Sequence, residues 1–421
     1  MQYQSTRDKN LKASSAQAIL NGLAPDGGLY TMPSFDEVKF DYTTVLNMDT
    51  MSMSTKILSK LLPDFSEAEM AKLVHDGYTG KFETDHLTPT VPVGEDFILE
   101  LFRGPTSAFK DVALSMLPRL MTASKEKLGV DDEIMILTAT SGDTGKAAME
   151  GFCDVPGTKI IVFYPHGGVS AVQQAQMATQ AGENVCVCAV RGNFGDILAG
   201  YFAKEMGLPV GKLVCASNAN NVLTDFLRTG RYDRRRPFYK TVSPSMDILV
   251  SSNLERLLYL LSGDDKLIAD LMKQLSENGE YEVPADMLEK LHELFWAGFC
   301  DDEGAKTAIG KVWKDDHYLC DTHTAVAWDV AQQYKQANHE HNAVVVLSTA
   351  SPYKFPAAVL EGIGEKAEGD EFDVMEQLHK VTGVPVPKNL ADLRSRAVRH
   401  RDVIDRGEML DYVLGKAAAE K

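Results

Sequence analysis

Residues 133–148 read EIMILTATSGDTGKAA. The apolar, β-branched start predicts a buried strand over 133–139, and a helix follows over 144–152. Between them lies Thr140-Ser141-Gly142-Asp143-Thr144-Gly145-Lys146, a turn dense in hydroxyls and glycine. Free backbone N–H groups and the helix dipole make such a turn an anion site. It departs from the nucleotide-binding pattern G-x-x-x-x-G-K-[ST] twice: Thr140 replaces the first glycine, and Ala147 the final hydroxyl. A plain capped turn is the bland alternative; the density of small polar residues favours a ligand.

The same alternation extends outward in both directions. Strands are expected over 97–102, 159–164, 184–190, 212–216 and 344–348, and helices over 106–117, 171–179 and 197–206. Short strands alternating with helices predict an α/β fold in which parallel sheets are covered on both faces. Residues 1–90 differ in style. Helices are expected there over 16–23, 50–62 and 66–75, and Pro25-Asp26-Gly27-Gly28 is a turn. Residues 254–334 read as mostly helical, and so do the last thirty or so.

A chain of 421 residues is long enough for about two or three domains with their own cores. With 44% hydrophobic and 24% charged residues it is ordinary for a globular protein, which excludes a mainly disordered chain. No apolar run approaches a membrane span, and the polar start MQYQSTRDKN lacks a signal-peptide core. The net charge of −17 argues against nucleic acid and anionic membranes as partners. Arg231, Arg234, Arg235 and Arg236 read as a solvated loop, since Asp233 sits among them. Cys153, Cys186, Cys188, Cys215, Cys300 and Cys320 are scattered, as reduced core thiols of a cytoplasmic protein would be. His339 and His341 lie in a polar loop, and no metal is expected.

Two more turns follow strands or open helices. Gly192-Asn193-Phe194-Gly195-Asp196 has glycines that allow close approach of a phosphate. Gly104-Pro105-Thr106-Ser107-Ala108-Phe109-Lys110-Asp111 sets Lys110 in a helix's first turn, with Thr106 or Ser107 as the cap. The dipole disfavours a cation there, and apolar neighbours favour a free amine. The alternative is a solvated lysine offset by Asp111. A reactive lysine, a phosphate cradle and a second anion loop are the parts of a pyridoxal phosphate site.

Longer stretches carry a resemblance. They are GLAPDGGLY (22–30), LELFRGPTSAFKD (99–111), LTATSGDTGKAA (137–148), GGVSAVQQAQMATQAGENV (167–185) and GNFGD (192–196). CASNANNVLTDF (215–226), SPSMDILVSSNLERLL (243–258) and LSTASPYKF (347–355) extend it over most of the chain. Together they resemble the threonine synthases, pyridoxal-phosphate-dependent enzymes of fold type II, like tryptophan synthase β.

That resemblance implies two three-layer α/β domains with parallel sheets and an α-rich N-terminal extension. The parts would be 1–90, a smaller domain 91–185 with the lysine and substrate loops, and a larger domain 186–421 with the phosphate loop. It implies that Lys110 forms the Schiff base with pyridoxal 5'-phosphate. Gly192, Asn193, Phe194, Gly195 and Asp196 would cradle the phosphate, and Thr349 would hydrogen-bond the pyridine nitrogen. Ser141, Gly142, Asp143 and Thr144 would hold the substrate. The reaction implied is O-phospho-L-homoserine plus water to L-threonine plus phosphate, by a cytoplasmic monomer or homodimer.

One difference from the family pattern stands out. The family carries two GNF stretches separated by several dozen residues, whereas here one GNFGD joins the features of both. The sheet is then expected to lose at least one βα unit. The alternatives are a serine or threonine dehydratase of the same family, or a non-catalytic descendant that binds a phosphorylated ligand.

Overall fold

The computed structural model describes residues 1–140, 142–164, 169–188 and 197–418. The N-terminal part holds β1 (Tyr3–Ser5), β2 (Lys12–Ala13), α1 (Ser15–Asn21) and β3 (Tyr30–Thr31), then α2 (Thr50–Leu61) and α3 (Glu67–Tyr78). Its strands form an antiparallel sheet of order β2-β1-β3 that the sequence reading did not foresee. Ser14 and Ser66 open α1 and α3 in capping boxes with Gln17 and Glu69, so two orphan N–H groups are satisfied at each start.

Next come β4 (Thr90–Val93), β5 (Asp96–Glu100), α4 (Lys110–Leu128), β6 (Ile134–Ala139), α5 (Asp143–Phe152) and β7 (Thr158–Phe163). They are followed by α6 (Ala171–Ala178), β8 (Val185–Cys188), α7 (Ile197–Glu205) and β9 (Leu213–Ser217). Strands β6, β7 and β8 pair in parallel. Met149 and Phe152 of α5 pack on Ile160 and Val162 of β7, all fully buried.

Downstream lie α8 (Val222–Thr229), β10 (Arg231–Asp233), α9 (Ser252–Ser262), α10 (Asp265–Asn278), β11 (Glu280–Glu282), α11 (Ala285–Leu294) and β12 (Phe295–Phe299). The chain ends with α12 (Asp302–Asp316), α13 (Thr322–Asn338), β13 (Val345–Ser348), α14 (Pro356–Gly362), α15 (Glu371–Thr382), α16 (Lys388–Ala391) and α17 (Met409–Ala418). β12 pairs in parallel with β9, and β13 in parallel with β5. Strand β4 adds an antiparallel edge to β5. The fold is therefore α/β with parallel sheets, as expected. No helix among the described residues is long and apolar enough to cross a membrane.

Three local expectations are corrected. The helix expected over 106–117 starts only at Lys110 and runs to Leu128, without a side-chain cap at Phe109. Thr106 instead donates from both its N–H and its hydroxyl to Asp111, at 2.8 and 2.6 Å. Ser107 adopts φ 57°, which no helix permits. Within the stretch read as mostly helical, Phe295–Phe299 is a strand that pairs in parallel with all of β9. Among the described residues of the last thirty, only Met409–Ala418 is a regular α-helix. The preceding segment is pinned by ion pairs: Arg394 to Asp370 and Asp373, and Arg396 to Asp392.

The arginine cluster has its own acids. Arg231 and Arg235 pair with Asp233 and Glu280, and Arg236 with Asp225.

Candidate active site

Lys110 is the first residue of α4, and the turn before it is stitched to the segment after β13. Phe109 N–H donates to the Thr349 carbonyl at 2.9 Å, and Ser351 N–H donates to the Ser107 carbonyl at 3.2 Å. Ala108 and Ala350 form an antiparallel bridge between them. These bonds bring Lys110 and Thr349, 239 positions apart in the chain, onto the wall of one cavity of about 200 Å³. Lys110 is half-buried, with its Nζ 3.9 Å from the centre of the Phe109 ring. Val214 and Ala216 of β9, Ile248, and Val346 of β13 supply apolar walls.

The left-handed Ser107 is held from a third direction. Its hydroxyl exchanges hydrogen bonds with the Asn389 amide of α16, which also donates to the Pro105 carbonyl at 2.8 Å. Gln176 of α6 donates to the Thr106 carbonyl at 3.1 Å. Burial pushes the Asp111 carboxyl up to about 6, against the bonds from Thr106 that favour its charged form.

The polar turn after β6 opens α5. Thr140 performs the capping: its hydroxyl oxygen accepts from Gly142 N–H at 3.1 Å and Gly145 N–H at 3.0 Å. Gly142 sits at φ 136°, and a Cβ there would come within 2.8 Å of the Gln173 amide. Asp143 is buried and lines the cavity beside Lys110. Its Oδ1 accepts from Lys354 Nζ at 2.6 Å and from Gln173 Nε2 at 2.8 Å. Burial alone would raise this carboxyl, but Lys354, Lys110 and the two hydrogen bonds outweigh it and hold it at about 2. Gly142 and Thr144 flank Asp143 without lining the cavity. Lys146 points away from it, to Glu150 at 3.0 Å and to Gln180.

Ser141 and the loop Gly192, Asn193, Phe194, Gly195 and Asp196 lie outside the described residues. Ile197, which starts α7 next to that loop, lines the cavity.

Two contributors escaped the sequence reading. Lys354 is fully buried, yet it sits in the matched stretch LSTASPYKF between Tyr353 and Phe355. A cation set between two aromatic residues was a signal of the same kind as Lys110. His323 also lines the cavity. Its Nδ1 lies 2.8 Å from Asp321 Oδ1, and its Nε2 accepts from Ser245 N–H at 3.1 Å. Those partners place the imidazole proton on Nδ1.

Family profiles described as Threonine synthase N terminus and Threonine synthase, C-terminal match residues 2–78 and 324–410. The threonine synthase of Saccharomyces cerevisiae is 31% identical over 478 residues, covering 90% of this chain and 93% of that relative. The threonine synthase of Pseudomonas aeruginosa is 30% identical, covering 95% and 98%. A PLP-bound threonine synthase from Brucella melitensis superimposes with a TM-score of 0.87 at 30% identity over 100% of both chains. The yeast threonine synthase structure gives 0.88 at 28% identity, over 100% of this chain and 99% of that one. The yeast sequence alignment is longer than this chain's 421 residues, so that relative carries stretches this chain lacks. The chain belongs to the threonine synthase family.

Proposed function

We propose that this cavity holds pyridoxal 5'-phosphate and that the chain converts O-phospho-L-homoserine and water to L-threonine and phosphate. The observation that carries the reading is the joining of Lys110 and Thr349 by the Phe109-to-Thr349 backbone bond. Lys110 and Thr349 line one cavity with apolar walls, which suits a flat aromatic ring with one polar edge and a reactive aldehyde. Family membership and the PLP-bound relative support the same cofactor.

When bound, the cofactor supplies an electron sink for carbanions next to the substrate nitrogen. Lys110 would hold it covalently and, once released, carry protons between substrate carbons. Thr349 would meet the ring nitrogen with a neutral hydroxyl and leave it unprotonated. Residues 192–196 would hold the phosphate, next to Ile197 on the cavity wall. Ser141, two residues before α5 in the sequence, would orient the substrate anion, while Asp143 is engaged by Lys354.

The test is borohydride reduction followed by peptide mapping, with phosphate release measured from O-phosphohomoserine. Cofactor fixed to Lys110, phosphate release, and loss of both in a folded Lys110→Ala variant support the reading. Cofactor fixed to Lys146 or Lys354 would overturn the site. Keto-acid formation from serine without phosphate release would favour a dehydratase.

A second reading, binding without turnover, has one observation in its favour. Val345 and Leu347 line the cavity but stay 54% and 37% exposed, so this wall of the site is open.

A further inference from the structure

A second lysine shapes the electrostatics around Asp143. Lys354 has no exposed surface, and its Nζ is 2.6 Å from Asp143 Oδ1. The same ammonium donates to the Thr106 carbonyl at 3.2 Å. One cation thus ties the start of α5 to the turn that presents Lys110. The nearby titratable groups come from every side: Asp143 from α5, Asp111 from α4 itself, the His323 imidazole from α13, Cys215 from β9, and Lys354 from the segment after β13.

Asp143 pairs directly with Lys354 and lines the same cavity as Lys110, whose charge also acts on it. Without Lys354, its buried charge would be left facing Lys110, and a buried carboxylate favours the protonated form of a neighbouring lysine. An ammonium has no lone pair and cannot attack an aldehyde or accept a substrate proton.

We propose that Lys354 is a positioning residue for Lys110: by occupying Asp143, it keeps that carboxylate from holding the Lys110 amine in its charged form. The proposal rests on the reading of Lys110 as the reactive amine. Its test does not need bound cofactor, so the two can fail separately.

The experiment measures acylation of Lys110 in the cofactor-free chain against pH, with an amine-directed anhydride and peptide mass spectrometry. Fold is checked by circular dichroism. Lys354→Met should move the Lys110 profile upward by about one pH unit, a roughly tenfold loss of acylation below the midpoint. Lys354→Arg retains a cation and should restore the profile. Lys354→Met/Asp143→Asn removes both charges and should return it close to that of the unaltered chain. Where Lys354→Met fails to fold, Lys354→Gln, which removes the charge but keeps a hydrogen-bond donor for Asp143, carries the same expected upward shift and the same overturning result. An unshifted profile in folded Lys354→Met would overturn the proposal. So would a double variant shifted downward, because Asp143 would then have acted on Lys110 with no compensation from Lys354.

Discussion

Gly151 of α5 sits so close to the Leu114 carbonyl of α4 that a Cβ on it would come within 2.0 Å of that oxygen. The approach is possible because Pro118, inside α4, has no N–H to offer the carbonyl four residues earlier. The two helices that start at Lys110 and Asp143 are locked at this point. Gly151→Ala should therefore force them apart, costing about 1–3 kcal/mol and lowering the melting temperature by several degrees. It should also impair turnover from a distance, since a small misplacement of reacting groups is expensive. Thermal melts alongside phosphate-release kinetics check both; an unchanged melting temperature would mean the helices can slide.

Two buried aspartates should respond to pH with opposite signs. Asp143 is held at about 2, below the ordinary 3.8, so the stability it contributes is present above pH 4 and lost as pH falls toward 2. Asp111 is raised to about 6, so its charged form weakens the fold progressively between about pH 4 and 6. Relative to the unaltered chain, Asp143→Asn should lose its deficit on acidification toward pH 2. Asp111→Asn should gain relative stability as pH rises from 4 to 6. Urea melts across pH 2–8 would expose a wrong sign in either.

The two anion loops should separate on mutation. Asn193→Ala removes a member of the expected phosphate cradle and should weaken cofactor retention, by about 1–3 kcal/mol. Ser141→Ala should leave cofactor absorbance nearly unchanged and lower kcat/KM. Equal losses of melting temperature, with no selective kinetic defect at Ser141, would reduce that loop to a helix start. Thr140 already caps α5, which removes the need for Ser141 in that role.

His323 holds the cavity-lining residue Ser245 through its backbone N–H, and Asp321 fixes the ring. His323→Ala should raise KM several-fold by freeing the 245–248 wall, with a smaller effect on kcat. His323→Gln, whose terminal amide can reach the position of the imidazole Nε2, should recover part of the loss. A drop confined to kcat would instead point to direct contact with the reacting atoms.

Local pattern determined the order of elements from 97 to 217, because short β-branched runs and capped helices carry their signal in neighbouring residues. It also determined which turns could bear chemistry, and Lys110 and Asp143 do line one cavity. Tertiary structure alone decided what those residues do to each other. Thr106 read as a cap on composition, yet a carboxylate five residues on captured its hydroxyl and delayed the helix to Lys110. Asp143 is expected at the substrate, and only the tertiary structure adds its partner Lys354, 211 positions away in the chain. Phe295–Phe299 became a strand only because β9 offered it an edge. Hydrogen bonds and ion pairs between distant segments leave no periodicity in the sequence, so long-range partners were decided in space.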